Sequence, residues 1–148
     1  MNYQLLYDEI SRDVYAGLSD TEIAAALNAV TIPVRQRVGI ADLQARAMET
    51  GVYTALRMAV ASSQTPDDLR AVCQTVLDLA GARFEDVDLD NAASVQMFGA
   101  LQTAGIITAQ QAAAIDALAD AVTSRAVQLG LGYVSPGDVQ QAREGGYR

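Results

Sequence analysis

A chain of 148 residues, 51% hydrophobic and 19% charged, has enough apolar material for a buried core and lies outside the composition of disordered chains. Its formal net charge of −8 repels phosphate, and its ten basic residues, all arginine, are spread along the chain, which argues against nucleic acid as a partner. No window approaches the roughly 18 uninterrupted apolar residues of a membrane span, Asp8 and Glu9 stand where a secretory signal would be apolar, and a single cysteine leaves no internal disulfide.

Tyr3, Leu6, Tyr7, Ile10 and Val14 recur at helical spacing and predict an amphipathic helix that fades near Arg12 and Asp13. Ser19 and Glu22 have capping-box spacing and predict a short helix from about Asp20 to Asn28. Val30 to Gly39 differs in kind: β-branched residues around Pro33 predict an extended segment, either a connector or an edge strand. Arg35 and Arg37, two apart on it, point the same way and read first as a solvated face, with an anion or partner contact as the alternative.

From Ile40 the helical pattern returns through Leu43, Ala47 and Met48, breaks at Gly51, and resumes through Val52, Leu56, Ala59 and Val60. Two helices are the preferred reading. Thr65, Pro66, Asp67 and Asp68 form the clearest start signal, with a threonine cap, proline at the first helical position and two carboxylates in the first turn beside the positive end of the dipole. Leu69, Val72, Cys73, Val76, Leu77 and Ala80 then give a central helix its inward stripe, and Gly81 stops it. Arg83 to Leu89 reads as extended and acidic.

Asp90 or Asn91 caps the next helix, whose apolar face is Val95, Phe98 and Leu101 and whose end is Gly105. Thr108 with Gln111 repeats the capping box and opens a long helix, striped by Ile115, Leu118, Ala119, Val122, Ala126 and Leu129. Folded back on each other, these two make a helical hairpin over 90–130 that needs a further layer from the rest of the chain. Over 131–148, Ser135 and Pro136 open a short helix through Arg143, followed by a tail. The pattern predicts an all-α fold: one compact domain over 1–148, a bundle of about six to seven short helices with a C-terminal hairpin and one extended segment near 30–39.

The chemistry of the residues is sparse. Histidine is absent, which removes the usual general base of a serine or cysteine nucleophile and the commonest metal ligand. Cys73 falls on a helix stripe and reads as a small buried hydrophobe. Asp86, Asp88 and Asp90 imitate the start of a calcium loop, but the sixth and twelfth positions are Asn91 and Met97, where glycine and a bidentate glutamate belong. That run reads as a solvated turn whose last carboxylate caps a helix. No catalytic, cofactor-binding or metal residue is assigned. Tyr3, Tyr7, Tyr15, Tyr53, Tyr133 and Tyr147 cluster near ends and turns, where a ring fills the edge of a core or serves a contact surface. The candidate partner-contact set is Tyr3, Tyr7, Arg35, Arg37, Tyr133, Tyr147 and Arg148.

One resemblance rests on short motifs at both ends. In the C-terminal half these are DLDN at 88–91, MFGAL at 97–101, AGII at 104–107, and TSRAVQLGLG at 123–132 leading to VSPGDV at 134–139. Near the N-terminus they are YAGLSD at 15–20 and ALNA at 26–29, and the middle of the chain matches in pattern only. With these motifs the chain resembles a family of small proteins encoded among the virion genes of tailed bacteriophages. The resemblance implies a non-enzymatic structural or assembly protein of the tail, neck or fibre-attachment region. It would be made in the host cytoplasm, with other virion proteins or further copies of itself as partners and neither nucleic acid nor membrane. The alternative is a small cytoplasmic adaptor or regulatory protein binding one protein partner.

Overall fold

Local side-chain chemistry sets most of the helix starts in the computed structural model, which describes residues 1–81 and 85–145. The Asn2 side chain accepts the Leu5 N–H at the head of α1 (Tyr3–Ile10), and Ser19 with Glu22 closes a reciprocal capping box on α2 (Asp20–Asn28). The segment around Pro33 is extended as expected, giving β1 (Ile32–Arg35) and β2 (Val38–Gly39). Gly51 does separate two helices, α3 (Ile40–Glu49) and α4 (Val52–Ala61): its φ is +78°, a left-handed turn that glycine adopts without strain. In α5 (Asp67–Gly81) the first helical bond runs from Arg70 N–H to the Pro66 carbonyl. The Arg70 guanidinium then donates to the Ser62 and Thr65 carbonyls at 3.2 and 2.8 Å, fastening the loop before the helix.

A two-residue strand, β3 (Asp86–Val87), precedes α6 (Ala92–Thr103), which Asn91 caps. Gly105 turns the chain into α7 (Ala109–Asp116), where Thr108 and Gln111 form the expected capping box. The Gln111 side chain serves two elements at once, because its Nε2 also donates to the Thr50 carbonyl, 2.8 Å away at the end of α3. The chain continues through a 3-10 turn to β4 (Asp120–Thr123), the short α8 (Arg125–Gln128) and α9 (Pro136–Glu144), which Ser135 and Asp138 cap.

The protein is mostly helical but not purely α: of the described residues 64% are in helices and 9% in strands. Among the described residues there are nine α-helices rather than six or seven, and two ladders, β1 with β4 and β2 with β3. The second is antiparallel and pairs Val38 with Val87 and Gly39 with Asp86. The expected helical hairpin holds for α6 and α7 only. Its second leg ends at Asp116, and the predicted helix through Leu129 is replaced by strand β4 and the short α8. The expected extended stretch from Arg83 begins within 82–84, which lie outside the described residues, as do the tail positions Tyr147 and Arg148 and the side chain of Ala80.

Contacts gather the chain, expected as one domain, into two compact units. One comprises residues 1–34 and 122–148. Its core is Leu6, Ile10, Tyr15, Ile23 and Leu27 with Ala126, Leu131, Val134, Val139 and Ala142. The other comprises residues 35–121 and buries Val38, Val52, Leu56, Cys73, Leu89, Leu101, Ile107, Ile115 and Ala119. Cys73 is fully buried there, as its place on the stripe predicts, and Val72, Val76 and Leu77 pack against the same cluster.

Candidate functional site

Within the unit of residues 35–121, the end of β1 places Arg35 opposite three aspartates that are far from it in sequence. Its Nε and Nη2 hold Asp90 at 3.1 and 2.8 Å, Nη2 reaches Asp116 Oδ1 at 2.5 Å, and Nη1 reaches Asp120 Oδ1 at 2.8 Å. Nη1 also donates to the Asp116 carbonyl at 3.1 Å, at the end of α7. Hydrogen bonds to Asp90 first, then to Asp116 and Asp120, hold the Arg35 guanidinium charged and raise its pKa, and the same bond lowers that of Asp90. One cation against three carboxylates leaves the cluster net negative.

Arg37 is paired differently. Its Nε donates to Asp86 Oδ1 at 2.6 Å, so the two arginines expected to share a direction are both engaged within their own unit rather than simply solvated. Asp90 does not cap α6 as the acidic run suggested. Asn91 does, and Asp90 turns to Arg35 while the Asp88 carboxylate accepts the Asp90 N–H.

Beside this cluster lies an open groove of about 400 Å³ between α6 and α7. Leu89, Val95 and Phe98 give it apolar walls, Gly99 and Ala112 keep it wide, and Asp116 stands at its lining. Helix α6 carries no charged residue over its whole length, and yet Val95 is 59% exposed. A helix apolar on several faces is ordinarily buried on several faces. Sequence reasoning put Val95 on the inward face with Phe98 and Leu101. In the structure Leu101 is buried, Phe98 half-buried and Val95 outside.

No family model, curated protein or solved structure matches this chain.

In the unit formed by residues 1–34 and 122–148, the tyrosines of the candidate contact set divide. Tyr3 donates from its hydroxyl to Asp138 at 3.1 Å, and Tyr7 packs half-buried against the core. Both therefore serve the edge of that core. Tyr133, between left-handed Gly132 and buried Val134, is 77% exposed and stays available as a contact. Tyr15 and Glu9, neither of them in the set, form the buried polar node of this unit, where Arg125 holds Glu9 through two bonds. Among the described residues, the structure brings no two members of the set together at the groove or at the Arg35 cluster. The groove residues Val95, Phe98, Gly99 and Ala112 were missed. The one signal for them in the sequence was the charge-free run from Ala92 to Thr103.

Proposed function

We propose that this chain is a non-enzymatic structural protein of a tailed-bacteriophage virion, built into the tail, neck or fibre-attachment region through contacts with other virion proteins. The observation that carries the reading is the apolar groove beside α6, lined by the exposed Val95 and the half-buried Phe98. Apolar surface held open to water favours association, at roughly 25 cal/mol for each Å² removed from it, and a contiguous patch marks an interaction face. The resemblance carried by the motifs at both ends of the chain supports the particle, and the groove supports attachment through a protein contact.

Quantitative mass spectrometry of gradient-purified particles tests the proposal. The expected result is a fixed copy ratio to the tail proteins that survives repeated banding. Recovery of the chain only from the soluble host fraction, as a free monomer or dimer, would overturn it in favour of a cytoplasmic adaptor or regulatory protein.

A further inference from the structure

Gly99 lies in the interior of α6, where glycine is less stable than alanine by about 0.5–1 kcal/mol. Nothing in the fold demands it. Its φ is not positive, and a Cβ built there would have no atom within 4 Å. The space it leaves is the groove itself. Across from it Ala109, Ala112 and Ala113 are equally small, so two helix backbones lie open to the close approach of a third.

The lining is not electrically neutral along its length. Asp116 borders the groove and shares Arg35 with Asp90 and Asp120, and the three carboxylates remain 51–66% exposed. Paired to one guanidinium, they carry a residual negative charge at the Asp116 end of a mostly apolar channel whose other polar side chain is that of Gln102. A second copy of this chain is a poor occupant. A two-fold interface through the groove would bring two such acidic ends into one contact, in a protein already at −8.

We infer that the groove between α6 and α7 receives an amphipathic helix of a different protein, its apolar ridge seated over Gly99 and Ala112 and a lysine or arginine at one end meeting the Asp90, Asp116 and Asp120 carboxylates. This rests on the reading of the chain as a protein-binding component of a virion and names the chemistry of its partner. Helix-in-groove recognition places apolar anchors three and four residues apart, and the terminal cation fixes which way the helix lies.

The test uses the full chain and three synthetic helical peptides with one leucine ridge, ending in arginine, glutamine or glutamate, with binding followed by fluorescence anisotropy. The arginine-ended peptide should bind most tightly, about tenfold or more above the glutamate-ended one at low salt, and the difference should shrink as salt is added. At Gly99 a Cβ meets no neighbouring atom within 4 Å, so Gly99→Leu sends a side chain into the open groove and should abolish binding while the melting temperature stays level or rises.

Absence of binding by the arginine-ended peptide, equal binding of all three, or binding indifferent to Gly99→Leu would overturn the inference. So would a concentration-dependent dimer in sedimentation that Gly99→Leu dissolves, because the occupant would then be a second copy. Failure of the peptides with the chain still present in purified virions removes this partner and leaves the proposed function standing. Binding by a chain absent from virions does the reverse.

Discussion

Glu9 is 5% exposed in the unit of residues 1–34 and 122–148, and four bonds satisfy it. Arg125 supplies Nε and Nη2 at 2.9 and 2.8 Å, Arg12 supplies Nη1 at 2.9 Å, and the Tyr15 hydroxyl donates at 3.2 Å. Removing Arg125 takes away two of the four bonds and leaves the buried carboxylate to Arg12 and Tyr15 alone, so Arg125→Met should lower unfolding free energy by about 2 kcal/mol in urea titration. The bond from Arg125, more than that from Arg12, holds the Glu9 carboxyl below its ordinary value of 4.5 against the opposing effect of burial. A depressed carboxylate contributes stability that is complete above its unfolded pKa and is lost as pH falls through the folded one. Stability should therefore decline from about pH 5 downward, and Glu9→Gln should flatten that decline without abolishing it, because Glu22 and Asp138 are depressed in the same direction. This node was illegible in the sequence because Glu9 and Arg125 are 116 residues apart, and only the i,i+3 contact to Arg12 is local.

Capping and turn chemistry that acts over three or four residues was legible at several helix starts, though the Asn2 and Ser124 caps went unread and α5 begins at Asp67, one residue after Pro66. Ser19 with Glu22, Thr108 with Gln111, and Ser135 ahead of Pro136 all stand at helix starts, and Gly51 stands between α3 and α4. Gly51→Ala should cost about 1 kcal/mol, measured by thermal or urea unfolding, because alanine resists the left-handed backbone. The added methyl would meet only Gln111 Nε2, at an ordinary 3.7 Å, so the cost is conformational rather than steric. Periodicity failed where it ran longest. The stripe from Ile115 to Leu129 mixes two cores: Ile115 and Ala119 belong to one, Ala126 to the other, and Val122 is 61% exposed. A repeat of three and four cannot report which core each residue enters. Some physical causes of the break are local, but the one that binds them together, Arg35, is not. Asp116 and Asp120 would repel one another at i,i+4 in a continued helix, whereas Arg35 holds both when the chain leaves the helix. β-branched Val122 and Thr123 suit the strand, and Ser124 caps the restart.

At the scale of the whole chain, one unit is a continuous segment and the other is made from the two flanks of it. Composition could say that 148 residues suffice for a core, but the division into two cores arises from contacts that no local pattern encodes. The continuous unit has its own apolar cluster, and its ends are tied to each other: Arg35 at its start bonds Asp120 near its finish, 85 residues away. Such a tie favours the closed chain over the open one by holding together ends that would otherwise be free, and it acts on the unit without help from the flanks. Residues 35–121 expressed alone should therefore give a helical circular-dichroism spectrum and one cooperative melt. Arg35→Ala should lower the midpoint, and added salt should narrow the gap between the two, since the carboxylates are exposed enough to be screened. A fragment that lacks helical signal, or that melts without cooperativity, would mean that its cluster forms only when residues 1–34 and 122–148 are part of the same chain.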